Sequence, residues 1–122
     1  MNALVVTDQE FLYRRLSGML REFAIHAEPN SDPKDAETQL SAQGFDMVLL
    51  DCDLENAKQV VKAIRENPEN QNTFVFALAS GFIRQSEMTR AGANLVLRKP
   101  INWQLAKKSL RAAHDLLPEI RT

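Results

Sequence analysis

The chain has 122 residues, 44% of them hydrophobic and 25% charged, a balance that suits one compact domain and excludes disordered, collagen-like and coiled-coil architectures. Its 15 Lys and Arg against 16 Asp and Glu leave a formal charge of -1, which offers no electrostatic grip on a nucleic-acid backbone. Cys52 is the single cysteine, so an internal disulfide and a Cys-rich zinc site are impossible and a reducing, cytoplasmic setting is expected.

The opening apolar run, Ala3 to Val6, is broken by Thr7 and Asp8 and has no basic residues before it, which does not fit a signal segment. No apolar run approaches the roughly 18 residues of a membrane span, so no membrane partner is expected. Ala3 to Val6 instead suits a first strand. A helix follows, with Leu12, Leu16, Met19, Leu20 and Phe23 on one stripe and Arg14, Arg15 and Arg21 off it. A weaker segment, Ala24 to Ala27, is the expected second strand. Ser31-Asp32-Pro33 then opens a second helix through Ala36 and Leu40 that Gly44 ends. Met47 to Leu50 is the third strand. Ala57 to Glu66 is a third helix carrying Val60, Val61 and Ile64, stopped by the breaker-rich residues from Asn67 to Asn70. Phe74 to Ala79 is a fourth strand, Ile83 to Ala91 a helix ending at Gly92, and Leu95 to Leu97 a fifth strand. Trp103, Ala106, Leu110, Ala113 and Leu117 form the stripe of a last helix that Pro118 should close.

Strand and helix alternate five times. Continuous apolar runs are what a parallel sheet covered on both faces requires, and right-handed crossovers then place helices on both sides. The expectation is an α/β three-layer domain spanning residues 1–122. Ligands of such sheets bind beyond the carboxyl ends of the strands, where Thr7, Asp8, Asp51, Ala79 and Lys99 fall. Asp8 and Asp51 would then share an edge despite their separation in sequence. Crowded carboxylates repel unless a cation lies between them, and Mg²⁺, which favours hard oxygen ligands and needs few protein carboxylates, is the natural one. Lys99 opposite them suits an incoming phosphoryl group. Taken singly, each Asp is better read as a helix cap and Lys99 as a surface ion-pair partner, but three such residues on the right strand ends reverse that preference.

Leu4-Val5-Val6-Thr7-Asp8, the stretch from Gly44 to Asp51, and Ala91-Gly92-Ala93 leading to Leu97-Arg98-Lys99-Pro100-Ile101 resemble the response-regulator receiver domains of two-component signalling. The resemblance spans nearly the whole chain. It implies a flavodoxin-like (βα)5 fold with strand order 2-1-3-4-5. It also implies phosphoryl transfer from a sensor histidine kinase or phosphotransfer protein to Asp51, with Mg²⁺ as cofactor. Asp8 matches the acid that contacts the metal, Asp51 the acceptor and metal ligand, Asp53 the residue whose backbone carbonyl completes the metal shell, and Lys99 the lysine that pairs with the phosphoryl group. The Lys99-Pro100 bond is usually cis in the family. Positioning and charge neutralisation carry such a transfer, because a carboxylate is a weak nucleophile toward a polyanion.

The departures are as informative. Thr7 stands where the family has another acid, and Ala79, or Ala77 in an ungapped alignment, where it has a hydroxyl at the end of strand four. Val96 replaces the switching aromatic, and Glu55 and its neighbours replace the usual Pro and Gly after the acceptor. Ser80 is the nearest hydroxyl to Ala79, although the residue after a strand end need not point the same way. The residues needed for transfer are kept while those that convert it to a surface change are lost.

Cys52 reads as a buried small hydrophobe rather than a redox sensor, His26 and His114 lack metal-site spacing, and Trp103 reads as packing. Two classes of function stay open: a phosphoacceptor that signals to an output domain or partner protein through helix four, strand five and helix five, and a phosphorylation-independent docking or dimerisation module. A small flavin or nucleotide enzyme on this fold is disfavoured by the acidic first loop, Thr7-Asp8-Gln9-Glu10. The residues Arg84, Arg90, Arg98, Lys107, Lys108 and Arg111 against Glu87 and Asp115 are a candidate homodimer face.

Overall fold

A computed structural model describes residues 1–120 of the chain. Ten elements alternate: β1 (Asn2–Val6), α1 (Glu10–Glu22), β2 (His26–Asn30), α2 (Pro33–Ala42), β3 (Met47–Asp51), α3 (Ala57–Glu66), β4 (Phe74–Ala79), α4 (Phe82–Ala91), β5 (Leu95–Arg98) and α5 (Trp103–Ile120). The strands form one parallel sheet in the order β2-β1-β3-β4-β5, the flavodoxin-like arrangement expected of the sequence.

The period-2 alternation of a strand splits each apolar run between the two faces of the sheet. Ala3, Val5, Met47, Leu49, Phe74 and Phe76 pack with Leu12, Leu16 and Leu20 of α1 and Ala106, Leu110 and Leu117 of α5. Leu4, Val6, Val48, Leu50, Val75 and Ala77 pack on the other side with α2, α3 and α4 through Leu40, Val60, Val61, Ile64 and Met88. Because both faces are covered, the central strands have no polar row.

The second strand begins later than its apolar content suggests, at His26 rather than Ala24. Residues 24 and 25 are used up in ending α1: Ala24 adopts a left-handed φ of 58°, its N–H donates to the Arg21 carbonyl, and the Ile25 N–H reaches back to the Leu20 carbonyl. This pair of bonds is a Schellman closure, with Ile25 buried against the core as its apolar contact. The strand that follows, His26-Ala27-Glu28-Pro29-Asn30, lies at an edge and pairs only with β1, which tolerates Pro29 and charge. At the other end of the chain α5 runs to Ile120, so Pro118 stands within its last turn instead of closing it. Proline has no N–H to give to the helical ladder, which weakens a helix at that position without requiring it to end there.

Candidate functional site

Parallel pairing brings every strand's carboxyl end to one edge. Asp51 lies opposite Leu78, and Ala79 opposite Arg98, so Lys99 follows immediately beside the end of β4, where its N–H donates to the Ala79 carbonyl at 3.0 Å. The Lys99-Pro100 bond is cis, as the resemblance implied.

Asp51 is the centre of the site. Its residue is 2% exposed, and donors of the chain engage both of its oxygens. Thr7 Oγ1 donates to Oδ2 at 2.9 Å; Lys99 Nζ lies 2.7 Å from Oδ1, and the Asp53 N–H donates to Oδ1 at 3.2 Å. The Lys99 ammonium also sits 3.0 Å from Asp53 Oδ2, bridging the two acids. Asp53 in turn receives the Ser80 N–H at 3.1 Å on Oδ1 and the Ser80 hydroxyl at 2.8 Å on Oδ2.

Burial alone would lower the Lys99 pKa, but the hydrogen bonds and charges of Asp51 and Asp53 outweigh it and raise it above the ordinary 10.5. The opposite balance holds at Asp53. Burial there would raise the pKa, yet the bonds from Lys99 and Ser80 hold it below the ordinary 3.8. Both groups are therefore charged throughout the neutral range.

The structure brings Thr7, Asp51, Asp53 and Lys99 together. Asp8 stands exposed at the end of β1 on the same edge, without a hydrogen bond or ion pair among the described residues. No group of three or more His, Cys, Asp or Glu side chains gathers as a metal site among those residues. Ala79 is fully buried and has no side-chain oxygen, and Val96 packs, half-buried, on the α2–α3–α4 side. Two contacts escape sequence reasoning. Thr7, read there as a missing acid, is a hydrogen-bond donor to the Asp51 carboxylate. Asp53, expected to act through its carbonyl, also brings its side chain into the site and with it Ser80. A serine directly after the strand end was the only signal of the second contact.

Cys52, next to Asp51, is fully buried and its thiol donates to the Leu50 carbonyl at 3.4 Å. Burial, reinforced by the charges of Asp51 and Asp53, pushes its pKa from 9.0 to about 12. Native protein at pH 8 should accordingly react with iodoacetamide on the order of a thousandfold more slowly than denatured protein, since each pKa unit costs about tenfold in thiolate. Equal rates, followed by mass, would contradict the buried placement.

The sequence matches the family model for the response regulator receiver domain over residues 3–111. The chain belongs to this family. Its fold is shared with a putative response regulator of Chloroflexus aurantiacus, at 19% identity and a TM-score of 0.84, covering 93% of this chain and 97% of that one. The receiver domain of a sensor histidine kinase from Pseudomonas aeruginosa, crystallised with a magnesium ion coordinated in its active-site cleft, follows at 21% identity and a TM-score of 0.81, with the same coverage. The chemotaxis protein CheY4 of Vibrio cholerae is 22% identical, with a TM-score of 0.78 over 92% of this receiver domain and 97% of its own length. A search of curated proteins finds no match to this receiver domain. No helix among its described residues is long and apolar enough to cross a membrane.

Proposed function

We propose that this receiver domain is a cytoplasmic phosphoacceptor, in which Asp51 takes a phosphoryl group from the phosphohistidine of a sensor histidine kinase or phosphotransfer protein. The observation that supports it best is the Lys99 ammonium 2.7 Å from Asp51 Oδ1, a cation held against the one buried carboxylate of the strand edge. In the transfer an Asp51 oxygen forms a bond to phosphorus while the P–N bond to the donor imidazole breaks. The electron pair of that bond returns to the ring nitrogen. Lys99 has three N–H donors, enough to meet the transferring oxygens without leaving Asp51. The domain is consumed as an acceptor rather than turning over as an enzyme.

The donor set suits Mg²⁺. Asp51 Oδ1 receives both Lys99 and the Asp53 N–H, whereas Oδ2 receives the Thr7 hydroxyl alone and is the less occupied oxygen. Asp8, exposed on the same edge, and the Asp53 carbonyl would complete an all-oxygen shell of the kind Mg²⁺ prefers. The ion supplies charge neutralisation for the transferring group when bound.

Intact-mass measurement after acetyl phosphate treatment should show one added phosphoryl group with Mg²⁺, none with a chelator, and none in Asp51→Asn. An unlabelled wild-type chain under saturating Mg²⁺, with a cognate kinase also ineffective, rejects the reading. That outcome favours the second reading, a phosphorylation-independent docking or dimerisation module. Its motivation is Ala79, which puts no hydroxyl at the end of β4, together with the capture of both Asp51 oxygens by the chain's own donors. Under it, Asp51→Asn leaves partner binding unchanged.

The output, to an attached domain or a recruited partner protein, is assigned to the α4–β5–α5 face. A homodimer through that face, using Arg84, Arg90, Arg98 and Lys108 against Glu87 and Asp115, belongs to the same proposal; Lys107 and Arg111, expected on it from the sequence, turn instead to the end of α1, where the Lys107 ammonium lies 3.0 Å from Glu22 Oε2 and the Arg111 guanidinium sits over the Phe23 ring. A single monomeric species in concentrated sedimentation runs would reject the dimer.

A further inference from the structure

The carboxylate of Asp53 joins three parts of the site: the loop after β3, the loop after β4 and the Lys99 ammonium. It accepts both the N–H and the hydroxyl of Ser80, at 3.1 and 2.8 Å, so the loop after β3 is clamped at two points to the loop after β4. It also lies 3.0 Å from the ammonium that touches Asp51. One residue beyond Ser80 the chain turns at Gly81, with φ of 76°, into α4, whose first two side chains, Phe82 and Ile83, are 81% and 75% exposed. Ala79 carries no side-chain oxygen, so the hydrogen bonds that run from the site carboxylates to this loop are those between Asp53 and Ser80.

We propose that Asp53 is a positioning residue that parks Lys99 and locks Ser80, and that charge added at Asp51 draws Lys99 away and opens this lock at the start of α4. The inference rests on the phosphoacceptor reading. A phosphoryl group carries about -1.5 to -2 charges and three strong acceptor oxygens. Placed on Asp51, it competes for the ammonium against a single carboxylate whose side chain is 37% exposed and therefore well screened. Asp53 is then left without its shared cation and close to added negative charge that Mg²⁺ neutralises only in part, and like charges repel. Its bonds to Ser80 are at the surface, where water can replace them. Lys99 needs only to shift between acceptors it already touches. The consequence is read where the clamp ends: Ser80 is freed, Gly81 permits the backbone to reorient, and the exposed apolar pair that begins α4 is re-aimed. The hydroxyl missing at Ala79 is thus replaced, one position later, by one that answers through Asp53 rather than by touching the phosphoryl group.

The test combines amide NMR with labelling rates, in the full chain. Asp53→Ala should move the Ser80, Gly81 and Phe82 amides without any phosphodonor, and acetyl phosphate with Mg²⁺ should move the same amides of the wild type along the same direction. Asp53→Asn separates the two roles: it keeps an oxygen for Ser80 but drops the charge that shares Lys99. Its Ser80 amide should stay near the wild-type position while Asp51 is labelled about two- to fivefold faster, the gain expected from removing a partly exposed competing ion pair. A merely structural Asp53 would not speed labelling.

A Ser80 amide unmoved in Asp53→Ala eliminates the lock. A labelled wild type whose Ser80 to Phe82 amides stay fixed eliminates the release. A rate for Asp53→Asn at or below the wild type eliminates the sharing of Lys99. Absence of label in the wild type, read by mass alone, overturns the phosphoacceptor reading itself and leaves the lock with nothing to open it.

Discussion

Replacing Lys99 by Met is expected to slow phosphoryl labelling of Asp51 by about 10²–10³-fold, the usual cost of deleting one preorganised donor to a transferring oxyanion. The same substitution should lower the melting temperature by about 8 °C. Removing one partner of a buried ion pair costs about 3–5 kcal/mol, because the remaining charge is left in a poor solvent. Here the figure must be discounted: the Lys99 side chain is 17% exposed and that of Asp53 37%, although that of Asp51 is only 2%. About 2 kcal/mol remains, at about 4 °C per kcal/mol for a domain of this size. Asp51 keeps the Thr7 hydroxyl and the Asp53 N–H, so the fold should survive.

The pH dependence of that stability difference has a definite sign. The Lys99 pKa is raised above 10.5 in the folded chain, so its contribution is fully present below 10.5 and is lost as pH rises through the folded value. The Asp53 pKa is lowered below 3.8, so its contribution is present above 3.8 and is lost as pH falls through the folded value. The gap between wild type and Lys99→Met, measured by urea unfolding, should be flat across the neutral range and close on both sides. A gap that narrows near pH 7 would mean that another group carries the charge.

The parts of this molecule that sequence makes legible are those governed by apolar period. The stripe from Leu12 to Phe23 and the uninterrupted runs Met47 to Leu50 and Phe74 to Ala79 leave little choice of element, and five strand–helix alternations leave little choice of sheet. Asp51 and Lys99 follow from that sheet, because parallel strands must end on one edge. What escapes is governed by single hydrogen bonds. The apolar Ala24 and Ile25 look like the start of a strand, but their N–H groups serve carbonyls of α1, and the real strand carries His26, Glu28 and Pro29 because it lies at an edge. Thr7 reads as a loss, since a threonine cannot stand in for a carboxylate; the direction of its hydroxyl, toward Asp51 Oδ2, is set by the fold and not by the residue type. Ser80 is similar: its position relative to the strand end leaves its direction open, and the bidentate bond to Asp53 decides it.

Arg65→Met is expected to cost about 3 kcal/mol, roughly a 12 °C lower melting temperature, while leaving the labelling of Asp51 unchanged. Arg65, near the end of α3, works at the edge of the sheet opposite the site. Its Nε donates to the Gly92 carbonyl at 3.0 Å, Nη1 to the Gln71 and Thr73 carbonyls at 2.8 Å each, and Nη2 to Asn94 Oδ1 at 2.6 Å. All four partners are neutral, and together they join α3, the turn before β4 and the α4–β5 connection. Thr73 is buried, so its carbonyl would lose a partner where water cannot easily replace it, whereas the exposed Gln71 carbonyl would be rehydrated. Lysine cannot rescue the site, because its three donors radiate from one point and do not match a fork of four acceptors. Gly92 is part of the same device: it has φ of 120°, and a Cβ there would lie 2.9 Å from Arg65 Cγ, so its carbonyl is reached only because no side chain intervenes. Asn94 Oδ1 also accepts the Val75 N–H at 2.7 Å, which places β4 under the same control. Lys99→Met and Arg65→Met thus lose comparable stability from opposite edges of one sheet, and only the first should lose phosphoryl transfer. If Arg65→Met also abolished labelling at a temperature where it remains folded, acceptance at Asp51 would depend on the general rigidity of the sheet, and the local charge argument for Lys99 would fail with it.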